Sequence, residues 1–249
     1  MVGTGASTGY RDEFLGPDTG TEVAAVIEEI ANRAWTTGRV GMIGKSFPGA
    51  LCLATGVRNP DPLEAIVPIL TTHRRERVAY ERGGLPSLWL TISMVALYTA
   101  TGVQPPSRRD SGWEDIWRTR LDHYREEGPP FAQAFDPDPT DSYWDLTVPT
   151  EEIQVPTFAV GGYRDHFPTD TLEYFAAIDA PKRLLMGPWR HIAPFKGRET
   201  AIGFRSQVVD WFDRFLKDEE AEPFRPTIAY WTERNGGRLT IENTEEGAA

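Results

Sequence analysis

Residues 39–56 read RVGMIGKSFPGALCLATG. Arg39 to Ile43 is a short apolar run with the composition of a buried strand. Gly44-Lys45-Ser46-Phe47-Pro48-Gly49 is a tight turn, and Ala50 to Gly56 is a helix of small residues. Working outward, the same alternation repeats. Upstream, Val23, Val26, Ile27, Ile30 and Ala31 mark one face of a helix over Thr21–Ala34, with Glu22, Glu28 and Glu29 opposite. Downstream, Glu64–Leu70, Val155–Val160 and Lys182–Met186 read as three more strands, Phe204–Leu216 as an amphipathic helix and Thr227–Trp231 as another strand. Strands alternating with helices predict an α/β fold built on a parallel sheet with crossovers. From His73 to Thr150 the strand pattern vanishes, so this stretch reads as a helical insertion.

The whole chain has 249 residues and a formal charge of −11. That length buries a real core. The acidity argues against a nucleic-acid partner, because phosphate binding needs a basic face. One cysteine, Cys52, excludes an intrachain disulfide and a cysteine-built zinc site. Together with a start that lacks a basic, apolar leader, it predicts a cytoplasmic protein. No charge occurs from Gly83 to Ser107. Polar residues and prolines interrupt that run, which argues against a membrane span. Leu85, Leu88, Trp89, Ile92, Val95 and Ala96 recur at helical spacing and predict a buried amphipathic helix. Gly3-x-Gly5-x-x-x-Gly9 is not a dinucleotide fingerprint, since its third glycine comes one place late and no strand precedes it. The acidic cluster from Asp218 to Glu222 reads as a solvated linker. No cofactor and no metal is expected.

The turn after Ile43 has chemistry in it. A strand, then Gly-x-Ser-x-x-Gly, then a helix is the setting of a nucleophilic serine. Small residues beside the serine let strand and helix approach, and the strained turn holds Oγ out over the sheet end. The Phe47 backbone N–H would then face a developing oxyanion. The usual pattern is Gly-x-Ser-x-Gly; here Pro48 takes the second glycine position and Gly49 follows. The plainer reading of Ser46 is an N-cap of the following helix.

A nucleophilic serine needs a base, which histidine supplies best. The chain has His73, His123, His166 and His191. In this kind of hydrolase the order is Ser, acid, His, each on a loop after a strand. His73 comes too early, His123 lies in a charged helical stretch and reads as a solvated surface residue, and His166 directly follows Asp165. His191 remains, after the strand Lys182–Met186. Asp165 is the first carboxylate after the preceding strand; Asp170 reads as a helix cap, and the Asp-rich run from Asp136 to Asp141 as a turn segment. The plainer readings are a loop carboxylate paired with Arg164 or Arg190, and a half-buried histidine stacked on Trp189.

The segments GTGASTG at 3–9, WTTGRVGMIGKSFPG at 35–49, DSYW at 141–144, VPTFAVGGYRD at 155–165, KRLLMGPWRH at 182–191 and WFDRFLK at 211–217 resemble the cocaine-esterase and X-prolyl dipeptidyl peptidase group of α/β-hydrolases. The resemblance implies a serine hydrolase with Ser46, Asp165 and His191 as the triad, working through an acyl-enzyme on a small ester, amide or peptide. It implies a core over 1–73 and 150–218, a helical cap over 74–149, and the start of a C-terminal β jelly-roll over 219–249. Known activities in the group are ester hydrolysis, cleavage after an X-Pro dipeptide and acyl transfer involving β-lactam nuclei. The layout also makes the uncharged helix around Leu85–Leu97 a candidate wall for an apolar acyl group.

Two departures go with it. Family members carry, upstream of the GTG segment, a tyrosine whose hydroxyl completes the oxyanion hole; Tyr10 lies after that segment and is not its match. The reading is therefore of a hydrolase truncated at both ends, without the first strands of the sheet and with only a strand or two of the jelly-roll. An incomplete sheet has an open edge, which calls for a homo-oligomer or an edge-covering partner. The competing expectation is an inactive fragment or partner-completed remnant.

Overall fold

A computed structural model describes residues 2–10, 15–16, 18–80, 84–128, 142–192, 194, 203–217, 227–232 and 238–243. The Asp-rich run 136–141 and the acidic cluster 218–222 lie outside the described residues. The chain packs as two compact units, Met1–Gly16 with Arg74–Leu146, and Pro17–His73 with Thr147–Ala249.

The second unit carries a sheet of six described strands in chain order: β1 (Val40–Lys45), β2 (Leu63–Ile69), β3 (Thr157–Gly162), β4 (Lys182–Gly187), β5 (Thr227–Thr232) and β6 (Arg238–Asn243). The first five run parallel, and β6 returns antiparallel to β5. Its described helices are α1 (Thr19–Ala31), α2 (Phe47–Gly56), α5 (Pro168–Ala177) and α6 (Phe204–Leu216); α3 (Leu88–Val103) and α4 (Trp113–Glu127) belong to the other unit. Side chains alternate across a strand, and β2 shows both faces in use. Ala65, Val67 and Ile69 join Phe158, Leu185 and Trp211 in one core cluster on the α6 side. Ile66 points the other way, toward Gly56 of α2. All six residues of β3 are buried, as a central parallel strand requires. β1 is different: among the described strands it pairs only with β2, and Ile43 is 51% exposed.

The jelly-roll expected over 219–249 stays a proposal. The structure shows the two described strands of that segment extending the core sheet, with Ala229 of β5 buried in the same cluster as Leu185. β6 has no counterpart among the strands expected from the sequence.

The first unit holds α3 (Leu88–Val103), α4 (Trp113–Glu127) and the glycine-rich start of the chain. The sequence assigns residues 1–16 to the core; here they pack with 74–146, and two arginines explain why. Arg120 of α4, with no exposed surface, donates to the carbonyls of Gly5, Ser7 and Gly9. Burial pushes its guanidinium below the ordinary value. Arg75 donates to the Leu15 carbonyl and, at 2.6 Å, to that of Tyr143. Arg120→Leu is expected to leave the three carbonyls without their charged donor. Each such bond contributes about 1.5–3 kcal/mol, so the variant should be less stable by several kcal/mol. Amide exchange across residues 3–9, faster in the variant than elsewhere in the chain, checks the assignment.

The helix α3 corrects an expectation. The stripe expected to be its buried face is largely exposed: Leu85 70%, Leu88 68%, Trp89 68% and Ile92 57%. Its buried residues are Thr91, Val95 and Gly102. Thr91 Oγ1 donates to the Ala79 carbonyl, and Gly102 faces Tyr124 of α4, so closely that a Cβ there would stand 2.7 Å from the Tyr124 hydroxyl. Polar anchoring and close helix approach set the orientation, not the hydrophobic stripe. His123 is also not simply solvated: its ring stacks on Tyr10 at 3.3 Å between centroids. No helix among the described residues is long and apolar enough to cross a membrane.

Candidate active site

β1 runs to Lys45, two residues beyond its apolar stretch, and α2 starts at Phe47. Ser46 alone makes the reversal. Its φ is +62° and ψ −125°, a conformation that side-chain-bearing residues rarely adopt. It occupies the N-cap of α2, yet its side chain makes no capping bond. The capping reading therefore accounts for the position of Ser46 but not for its hydroxyl.

The close packing of the turn explains its glycines. A Cβ on Gly44 would overlap the carbonyl of Pro48, and one on Gly49 would stand 2.9 Å from the Thr71 Cβ. Gly49 thus makes the approach to a neighbouring strand end. Pro48 sits in the first helical turn, where no N–H is needed for the helix ladder. Gly44→Ala is expected to lower stability by about 3 kcal/mol, since backbone cannot move aside as a side chain can. A urea midpoint measured by circular dichroism reads it.

Asp165 follows β3 in a loop closed by its own N–H donating to the Gly162 carbonyl at 3.1 Å. Its side chain is 1% exposed. Oδ1 lies 2.6 Å from Nδ1 of His191, and Oδ2 accepts the Phe167 N–H at 3.3 Å. His191 follows β4, with its side chain 30% exposed. The loops approach tightly beneath this pair. A Cβ on Gly162 would overlap the Trp189 carbonyl, and one on Gly187 would press into the buried Trp189 ring. Tyr163 N–H donates to the Gly187 carbonyl at 2.7 Å, and Arg164 N–H to that of Trp189 at 3.3 Å. Trp189 therefore packs on Gly187, while the aromatic neighbours of His191 are His166 and Phe167, at 5.8 and 6.0 Å between centroids. Asp165 pairs with His191.

The other histidines and carboxylates sort as follows. His73 is 5% exposed and meets Tyr174 edge-on. Asp170 is fully buried inside the first turn of α5; the N-cap of α5 is Phe167, and Asp170 Oδ1 accepts the Thr72 hydroxyl at 2.8 Å. Asp170 is thus an inter-loop anchor, where the sequence suggested a cap. Burial pushes the Tyr174 hydroxyl above its ordinary value, with Asp170 nearby adding to the rise. Among the described residues no cluster of three His, Cys, Asp or Glu could hold a metal ion.

Three side-chain bonds at the strand ends have no signal in the sequence pattern. Thr71 Oγ1 donates to the Ser46 carbonyl at 2.8 Å, Thr72 reaches Asp170, and Lys45 Nζ donates to the His191 carbonyl at 2.8 Å. Leu70, just before the threonines, has φ +48° despite a bulky side chain. That turn aims the two hydroxyls at neighbouring loops. Only adjacency to strand ends could have flagged them.

Helices on both faces of a parallel sheet, with a strained strand-to-helix reversal at its carboxyl end, make this chain an α/β-hydrolase. Its sequence narrows the class: a family model described as X-Pro dipeptidyl-peptidase (S15 family) matches residues 1–193, and the chain belongs to that family. Solved structures share the fold. A CocE/NonD family hydrolase from Staphylococcus aureus is 19% identical with a TM-score of 0.65; the alignment covers 96% of this chain and 40% of that one. An aminopeptidase from a marine sediment Thaumarchaeota archaeon is 20% identical with a TM-score of 0.69, over 96% and 46%. An α-amino acid ester hydrolase is 16% identical with a TM-score of 0.63, over 90% and 42%. The chain thus spans less than half the length of these relatives. Among curated proteins none matches it.

Proposed function

We propose that the chain is a serine hydrolase that cleaves a carboxylic ester or an acyl or peptide bond through Ser46, His191 and Asp165. The observation that carries this reading is Ser46 at φ +62° without a capping bond. Backbone strain at a residue whose hydroxyl makes no capping bond points to function. The Asp165–His191 contact supports it. With Asp165 accepting from Nδ1–H, the imidazole keeps a lone pair on Nε2. Ser46 Oγ attacks the substrate carbonyl as Nε2 takes its proton. The carbonyl oxygen becomes an oxyanion, met by the Phe47 N–H at the positive end of α2. Collapse expels the alcohol or amine, which takes the proton from His191 and leaves an acyl-Ser46. Water, deprotonated by the same nitrogen, releases the acid.

Esterase activity is the broader proposal and X-Pro dipeptidyl peptidase activity the narrower one. Turnover of p-nitrophenyl acetate and hexanoate against Gly-Pro-p-nitroanilide tests both. Hydrolysis of the esters alone supports an esterase; faster hydrolysis of the anilide supports the peptidase. Turnover of none, by folded protein, contradicts the proposal.

One observation favours a second reading, a partner-completed remnant. β1 is the outermost described strand and Ile43 on it is half exposed. Exposed edges pair with other chains. That reading predicts specific activity that rises with protein concentration, whereas a self-sufficient site predicts a constant value.

A further inference from the structure

Lys45 is the last residue of β1, adjacent to Ser46. Its Nζ donates to the main-chain carbonyl of His191 at 2.8 Å, a bond between residues 146 apart in the chain. β1 and β4 are not neighbours in the sheet; β2 and β3 lie between them. The loop after β4 therefore returns over the carboxyl ends of β2 and β3, where the Lys45 side chain meets it. Asp165 fixes one point of His191, the Nδ1 edge of its ring. A ring held at one point can still swing with its backbone. The carbonyl is the second point, and a charged donor holds it more firmly than a neutral one.

We infer that Lys45 is a positioning residue for His191, fastening the backbone of the base to the strand that carries the nucleophile. The inference rests on the triad reading proposed above. It explains why a long cationic side chain stands between Gly44 and Ser46: only such a residue reaches the base loop from the end of β1 and brings a charged donor to its carbonyl. A shorter or apolar residue would leave the turn intact and the His191 carbonyl without this charged donor. A misplacement of about 1 Å in such a constellation reduces rate by about 100-fold.

Lys45→Met keeps most of the stem and removes the donor. Lys45→Cys followed by aminoethylation rebuilds an ammonium of nearly the same reach. The native Cys52 does not interfere, being fully buried with its thiol pushed up to about 12. Two readouts are needed: kcat and KM for p-nitrophenyl acetate, and the downfield proton NMR signal of the His191 Nδ1–H. In Lys45→Met, kcat should fall about 10- to 100-fold with KM within about twofold, and the downfield signal should broaden or vanish. The aminoethylated variant should recover both. A merely structural lysine would instead shift the melting midpoint and leave the signal in place. The inference is overturned if Lys45→Met keeps both kcat and the signal, or if aminoethylation restores neither. Should the wild type hydrolyse no substrate, the hydrolase reading falls alone; the NMR comparison of wild type with Lys45→Met still decides whether Lys45 holds His191 on Asp165.

Discussion

Ser46→Ala is expected to lower ester turnover by about 10⁶-fold, the size of loss seen when the nucleophile of a triad acting as a unit is removed. The hydroxyl makes no capping bond, so its removal takes nothing from α2. Stability should stay within about 0.5 kcal/mol of wild type. Ser46→Gly sharpens the point. It removes the same nucleophile but also the Cβ that is strained at φ +62°. It should be as inactive as the alanine variant yet more stable by about 1 kcal/mol. A gain in stability paired with a loss of activity is what strain retained for function predicts. Stopped assays for residual turnover and urea denaturation for stability measure the two effects on the same samples.

Asp165→Asn is expected to lower kcat by about 10⁴-fold while leaving the fold in place. Asparagine fits the space, and its carbonyl oxygen can still accept the Phe167 N–H that Oδ2 accepts now at 3.3 Å. Its amide then faces His191 Nδ1 as a donor. The imidazole must accept there, which puts the proton on Nε2 and removes the base from Ser46. KM should change little, because almost none of Asp165 is open to a substrate: its side chain is 1% exposed. A loss of kcat near 10⁴ with KM held separates this cause from a collapsed site, which would alter both.

Much of the architecture is legible in the amino-acid pattern. β2, β3 and β4 stand out as apolar runs, since parallel strands covered on both faces have no polar side to mask the signal. The turn at Ser46 is legible because strain and close approach demand particular small residues, and Gly44 and Gly49 supply them. Asp165 and His191 are reached by elimination, as the first carboxylate and the one suitably placed histidine after their strands. Most of what escapes depends on backbone acceptors. Arg120, Arg75, Lys45, Thr71 and Thr91 all bond main-chain carbonyls. A carbonyl is present at every residue, so such tethers leave no pattern in the sequence. The same holds for β6, Arg-Leu-Thr-Ile-Glu-Asn, which joins the sheet through ladder bonds to β5. On α3 the hydrophobic stripe misleads, because Thr91 and Gly102 turn the helix the other way.

The central claim is that Ser46 is an activated nucleophile. Intact mass and peptide mapping after treatment of the native protein with a fluorophosphonate test it most directly. The account predicts one adduct per chain, on the peptide containing Ser46, absent from Ser46→Ala and strongly slowed in Asp165→Asn. Native protein that takes up no label, or labels equally in wild type and Ser46→Ala, contradicts it.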